Sequence, residues 1–319
     1  MTSTSPNPLP AFETREGANG GTSPNPLLRK EGANGGNAPV VGGRGADRIR
    51  KGVIYVALTI LALVFLFPFY WLLVSAFKTQ AQIFALPPQM IPSPPRVHNF
   101  VKLVQDTNIF RAFLNSVIVA VGHVGLSLFL CSLAGFAFAK YPRAPGRDQL
   151  FAFVLGTMMI PGAVTLIPVF LVLVNLHMIN TWWAMIVPGA AGAFGIFWMR
   201  QYIGANVPDD LIAAARIDGC SEFGIYRQVV LPIAKPALAA LGIMQLIGTW
   251  NNLMWAFIVL RTSDMMTLPL VIYLLQGEQR TDYGMMMAGG LVTTLPLVIA
   301  FLLFQRQFIA GITSGAIKA

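Results

Sequence analysis

Residues 52 to 77 read GVIYVALTILALVFLFPFYWLLVSAF, an unbroken apolar run without a single Lys, Arg, Asp or Glu. An α-helix rises about 1.5 Å per residue, so roughly 20 such residues cross the ~30 Å hydrocarbon core of a bilayer. Comparable runs lie near residues 112 to 139, 150 to 174, 182 to 203, 237 to 260 and 285 to 308, six in all, and none carries a charge deep in its interior. The runs are continuously apolar and lack the residue-by-residue alternation of barrel strands, which would separate lipid-facing from lumen-facing positions. The expected fold is an all-α integral membrane bundle of six transmembrane helices.

Composition agrees: 319 residues, 55% hydrophobic, 11% charged and a mean hydropathy of +0.64 give far more apolar surface than one soluble core would bury. The net charge of +9 does not indicate nucleic acid, because Lys and Arg are scattered over the connections rather than gathered on one face. They report topology instead. Arg44, Arg48, Arg50 and Lys51 precede the first run, Lys140, Arg143 and Arg147 follow the second, and Arg200, Arg216, Arg227 and Lys235 flank or fill the fourth connection. By the positive-inside rule these sides, and with them both termini, are expected in the cytoplasm of a multi-pass inner-membrane protein. The first outer loop runs against the trend with Lys78, Arg96, Lys102 and Arg111. Cys131 lies in a membrane run and Cys220 in a cytoplasmic loop, which suits neither a metal cluster nor a disulfide.

Residues 1 to 50 are dominated by Gly, Asn, Pro, Ser and Thr, too poor in large apolar side chains to offset the entropy of ordering. They are expected to be a disordered cytoplasmic arm ahead of a membrane domain at 51 to 319. Thr4-Ser5-Pro6-Asn7-Pro8-Leu9 returns as Thr22-Ser23-Pro24-Asn25-Pro26-Leu27, the mark of a duplicated low-complexity insert. The arm has no hydrophobic core of a signal peptide, so the first run is read as a retained span. Beyond it, a first outer loop with Pro87, Pro88, Pro92, Pro94 and Pro95 predicts an extended lid or docking surface. Pro68, Pro161, Pro168, Pro188 and Pro296 predict kinks within spans, and Gly189, Gly192 and Gly195 a small-residue ridge for close helix packing.

The most informative connection runs from about 204 to 236 and reads as two amphipathic helices joined by a turn. Pro208 suits the start of the first helix, and Asp209 and Asp210 place negative charge at its positive dipole end. Gly219 can close that helix in the left-handed conformation. Ser221 can cap the next, which carries Phe223, Tyr226 and Val230 until Pro232 interrupts it. A plain helical hairpin on the membrane surface would share the amphipathicity. A DNA-reading helix-turn-helix is set aside, since the loop is tethered to the membrane at both ends and its arginines are balanced by acids.

Ala213-Ala214-Ala215-Arg216-Ile217-Asp218-Gly219, followed by Leu231-Pro232 and Pro236, resembles the cytoplasmic "EAA" loop of ABC-importer permeases. The resemblance implies an elbow of short helices that docks into a cleft of a separate ATP-binding subunit and carries nucleotide-driven closure to the pore. Ala213 stands where that family has an acidic residue, leaving Asp209, Asp210 and Asp218 as the nearby acids. Trp250-Asn251-Asn252-Leu253-Met254-Trp255 resembles the fifth-helix motif of sugar-importer permeases. The tail from Gln305-Arg306 through Gly311-Ile312-Thr313-Ser314-Gly315-Ala316-Ile317-Lys318 resembles theirs, and Asn115-Ser116 adds to the match. The subunit type implied is the second permease of maltose-like and glycerol-3-phosphate-like importers, in which position 252 is commonly acidic; here it is Asn.

Gln245, Asn251 and Asn252 place amides inside an apolar span, where they join helices or face a wet cavity, and Trp250, Asn251 and Asn252 are the candidates for the solute path. His123 is read as a packed neutral histidine rather than a proton relay, having no acid at helical spacing. No Gly-x-x-x-x-Gly-Lys-Ser/Thr loop occurs, so the energy source is expected in another subunit, and neither catalysis nor a cofactor is expected here. The partners implied by the resemblance are two copies of an ATP-binding ABC subunit, a homologous second permease, an extracytoplasmic solute-binding protein, a carbohydrate and the lipid bilayer. A self-contained secondary transporter is the competing class, but it needs membrane-embedded ionisable groups that these spans offer sparingly. A membrane enzyme would need acid-base or metal-ligand spacing that is not seen.

Overall fold

The computed structural model describes residues 44–277 and 281–316. All regular secondary structure among them is helical. The described residues through Thr59 and those from Ile60 onward form two compact units. The first holds the opening of helix α1 (Arg44–Ser75), where Thr59 Oγ1 donates to the Tyr55 carbonyl at 2.8 Å. Residues 44–50, assigned to the arm on composition, are thus helical; residues 1–43 lie outside the described residues.

In the second unit α1 runs on to Ser75 and is followed by α2 (Gln80–Ile83) and α3 (His98–Asp106), so the proline-rich first connection is partly helical. Then come α4 (Ile109–Lys140), α5 (Arg147–Thr157), α6 (Gly162–Asn175), α7 (Trp183–Ile186) and α8 (Ala193–Asn206). The connection after α8 supplies α9 (Asp209–Ile217) and α10 (Glu222–Ile225), which passes through a π-helical turn at Tyr226–Val230 into α11 (Leu231–Trp250). Last are α12 (Leu253–Val259), α13 (Leu268–Leu274) and α14 (Tyr283–Ala316). The C-terminal tail motif is helical through Ala316, and Ile317 and Lys318 lie outside the described residues.

Among the described residues, four helical stretches are long and apolar enough to cross a membrane: Arg48–Ser75, Ile109–Lys140, Glu222–Trp250 and Tyr283–Gln305. The third expected span is α5 plus α6, bent by 105° where Met158–Pro161 breaks the ladder. Pro161 offers no N–H to continue a helix, and α6 restarts at Gly162. The fourth expected span, 182 to 203, is not one helix. α7 stops before Pro188 and Gly189, whose φ of +77° is closed to a right-handed helix, and α8 begins after Gly192. The three glycines therefore form no single ridge. Gly195 alone sits inside a helix, where an added Cβ would lie 2.6 Å from Cys131 Sγ on α4.

α4 is the axis of the second unit and packs most extensively against α8 and α11. One apolar core joins its C-terminal half to α8, α9 and α11 through Phe136, Met199, Ile212, Tyr226 and Leu241. Two others surround its N-terminal half, one with α3, α13 and α14 and one with α6, α7 and α12. Asn115 donates to the Asp264 and Met266 carbonyls at 2.7 and 3.0 Å and accepts from Trp182 Nε1 at 3.1 Å, while Ser116 Oγ accepts from Leu268 N at 2.7 Å. The Asn-Ser pair thus ties α4 to the segment entering α13.

Candidate functional site

The connection between α8 and α11 begins with Pro208, extended at φ −62° and ψ 141°, as the cap of α9. Ile212 and Ala215 of α9 are buried against the bundle, whereas Leu211, Ala213, Ala214, Arg216 and Ile217 face outward. Ile217 is the most exposed of the large apolar side chains here, at 87%. An amphipathic helix has therefore docked one stripe on its own protein and left a second apolar stripe open.

Gly219 closes α9 at φ +78°, and Cys220 N returns a hydrogen bond to Ala215 O at 3.0 Å, a Schellman-type end. Ser221 Oγ then accepts from Gly224 N at 3.1 Å to cap α10. Pro232 does not interrupt the second helix as its sequence position suggests. The π-helical turn just upstream widens the ladder where the proline ring would meet the Gln228 carbonyl, and the helix continues from Glu222 to Trp250. Leu231 is half-buried at this junction and Pro232 exposed.

Two polar ties hold the connection to the end of α4. Lys140 Nζ donates to Asp209 Oδ1 at 2.6 Å and to the Val207 carbonyl at 2.5 Å. Arg216 donates to both Glu222 oxygens, at 2.7 and 3.2 Å, and Tyr141 Oη donates to Glu222 Oε2. Burial and then the Glu222 contact push the Tyr141 hydroxyl above its ordinary range. Sequence reasoning names Asp209, Asp210 and Asp218 as the nearby acids and misses Glu222; its position one residue after the Ser221 cap is the available signal. It partners Arg216, while Ala213 is exposed and Asp218 makes no salt bridge among the described residues.

The path candidates separate. Trp250 is buried, its Nε1 donating to Thr293 O of α14 at 3.1 Å and its ring edge-on to Phe113. Asn251 Nδ2 donates back to Ile247 O at 2.9 Å. Asn252 caps α12, its Oδ1 accepting from Trp255 N at 3.3 Å, and it lines a cavity of about 470 Å3 together with Gln245 and Thr249. Trp250 and Asn251 do not line that cavity. His123, read as packed, is buried and its Nδ1 lies 2.9 Å from Ile186 O. Among the described residues no group of His, Cys, Asp and Glu could hold a metal ion.

Residues 131–313 match the family model of the binding-protein-dependent transport system inner membrane component. Across 86% of this chain and 99% of the relative, the sequence is 34% identical to the arabinooligosaccharides transport system permease protein AraQ of Halalkalibacterium halodurans. It is 32% identical to the lactose transport system permease protein LacG of Rhizobium radiobacter, over 85% of this chain and 97% of that one. Among solved structures, a chain of a bacterial ABC transporter involved in import of the acidic polysaccharide alginate superposes with a TM-score of 0.72 at 25% identity, covering 82% of this chain and 98% of that one. This helical chain with a docked elbow, matched along most of its length by these proteins, belongs to the binding-protein-dependent transport system inner membrane components, the non-enzymatic permease subunits of ABC importers.

Proposed function

We propose that this permease forms half of the translocation pathway of a carbohydrate importer and takes its energy from a partner ATPase through the connection at 204–236. The observation that carries the reading is the two-sided α9: Ile212 and Ala215 are locked into the bundle core while Leu211, Ala214 and Ile217 stand outward beside Asp218 and the left-handed Gly219. A push on the outward stripe would move α4, α8 and α11 together, because the inward stripe shares one core with them. Ala213, Ala214, Ala215, Arg216, Asp218, Gly219, Leu231 and Pro232 are assigned to this coupling elbow. The small alanines allow close approach, and Leu231 and Pro232 set its junction with α11.

The carbohydrate assignment is supported by the names of the relatives, and the partners would be two ATP-binding subunits, a second permease and an extracytoplasmic solute-binding protein. In the sequence, Arg48, Arg50 and Lys51 at the start of the first apolar run, Lys140 and Arg147 in the second connection and Lys235 in the fourth fall in the alternate segments that include the elbow, favouring an orientation with both termini cytoplasmic. Co-purification of the chain with its ATPase and second permease tests the coupling assignment. Asp218→Arg and Ile217→Asp should lose the ATPase and keep the permease; retention of the ATPase by both variants would remove the elbow from the coupling role.

A further inference from the structure

The cavity of about 470 Å3 lies where three helices are interrupted. Gly162 opens α6 after the 105° bend, Pro188 and Gly189 fill the gap between α7 and α8, and Asn252 sits between α11 and α12. Broken backbone at membrane depth is tolerated where it is buried in protein or borders a wet cavity, since lipid satisfies no freed N–H or C=O. The volume is within the roughly 300–1,000 Å3 of small-molecule sites.

Its polar groups are unusually available. Gln245, Gly248, Thr249 and Asn252 recur at helical spacing, so they form one stripe of polar and small residues along an otherwise apolar helix and its end. The Gln245 amide makes no hydrogen bond among the described residues, and Asn252 uses only Oδ1 in its cap, leaving Nδ2 to donate. The fourth group is His123. The Ile186 carbonyl beside Nδ1 can only accept, so Nδ1 carries a hydrogen and Nε2 is left with no partner among the described residues. Trp255, fixed by Nε1 donating to Ala184 O at 2.8 Å, adds an aromatic wall. Among the described residues no Lys, Arg, Asp or Glu lines the cavity. Mixed uncharged donors and acceptors beside an aromatic surface match a neutral polyhydroxylated solute and offer nothing to neutralise a carboxylate.

We infer that this cavity is a contact site of this subunit for a neutral, hydroxyl-rich solute in transit, with Gln245, Thr249, Asn252 and the His123 Nε2 as its hydrogen-bonding groups. The inference rests on the carbohydrate reading above and refines it from carbohydrate in general to uncharged carbohydrate. Because a solute-binding protein would capture solute before release, losing these contacts should lower the maximal transport rate and leave the half-saturating concentration in place.

The test is uptake by proteoliposomes holding the complete importer and its binding protein. Labelled lactose, arabinotriose and maltotriose serve as neutral probes and trigalacturonate as the acidic one. Gln245→Leu and Thr249→Val, near-isosteric changes at half-buried positions, are expected to cut the maximal rate for a transported neutral probe about tenfold in combination, with ATP hydrolysed per solute rising. Should one fail to assemble, the other and His123→Phe carry the comparison. Variants that transport within about twofold of wild type would overturn the contact site and leave the carbohydrate reading standing. A wild type that carries trigalacturonate in preference to every neutral probe would overturn the neutral-solute assignment. A wild type that hydrolyses ATP yet carries none of the four would bring down the carbohydrate reading, and this inference with it.

Discussion

The Lys140 ammonium, 4% exposed, meets the Asp209 carboxylate, 88% exposed, at 2.6 Å, and so ties the last turn of α4 to the first turn of α9. The two ends of this bond are not equivalent. Water can replace Lys140 at the exposed carboxylate, but nothing described replaces Lys140 at the Val207 carbonyl.

Asp209→Asn should therefore cost less than about 1 kcal/mol, the scale of an exposed ion pair. Lys140→Ala should cost about 1–3 kcal/mol, because a carbonyl loses its donor and the lysine stem leaves a gap. Thermal unfolding of both variants in one detergent gives the order, and equal losses would show that the ion pair dominates instead.

Glu222 receives Arg216 and Tyr141, and thereby fastens α9, α10 and the end of α4 at one exposed point. Glu222→Gln should speed amide exchange across residues 213 to 224 at low ionic strength. The difference from wild type should shrink near 1 M salt, where the screening length is about 3 Å. An exchange difference unchanged by salt would mean that packing, not charge, fastens the elbow.

These ties also mark where the sequence could and could not be read. Apolar runs around α1, α4 and α14 were legible because span-length continuity needs no partner to interpret it. The runs at 150 to 174 and 182 to 203 look equally continuous in composition, yet break at Pro161-Gly162 and Pro188-Gly189. Hydropathy reports where a segment resides, whereas the break is set by backbone donors and one positive φ. The elbow's caps at Gly219 and Ser221 were legible for the same local reason. Its acid was not, since the pairing of Arg216 with Glu222 depends on how the intervening turn folds. The cavity stripe from Gln245 to Asn252 follows helical spacing, but the participation of His123 needs the α4–α7 contact, which no local pattern encodes.

Lys102 Nζ of α3 donates to Asp282 Oδ2 at 2.6 Å, and Asp282 also accepts from Met285 N at 3.0 Å. Partial burial pushes the Asp282 carboxyl up, but the Lys102 and Met285 hydrogen bonds outweigh it and hold it below its ordinary range. The same contact raises Lys102. A depressed carboxyl stabilises the fold at pH above its unfolded value and loses that contribution as pH falls through the native value; a raised lysine keeps its contribution below its unfolded value and loses it as pH rises through the native one. Both contributions are present at neutral pH. Because both side chains are partly exposed, the total should stay under about 1 kcal/mol. The stability gap between wild type and Asp282→Asn should be flat around neutrality and close as the pH drops toward about 3, below the ordinary carboxylate range. A gap that widens on acidification would contradict the pairing.

Two glycines separate backbone strain from close packing. At Gly219 an added Cβ meets nothing within 4 Å, so only the left-handed φ of +78° resists a side chain. Gly219→Ala should cost about 1–2 kcal/mol, and Gly219→Asn less, since asparagine tolerates that region. At Gly135 an added Cβ would lie 2.6 Å from Met199 Cβ and 2.8 Å from the Arg200 backbone nitrogen. Neither is the free end of a flexible chain, so α4 and α8 must part for Gly135→Ala to fit. The gain in helix propensity, up to about 1 kcal/mol, works the other way. Overpacking of about 1–3 kcal/mol, here against backbone, should exceed it. The two substitutions should also differ in where the damage lies. Gly219→Ala should raise amide exchange around the elbow alone, whereas Gly135→Ala should lower the unfolding temperature of the whole bundle, because α4 and α8 form its principal packed pair. A Gly135→Ala protein with unchanged unfolding temperature would mean that the α4–α8 approach is looser than 2.6 Å requires.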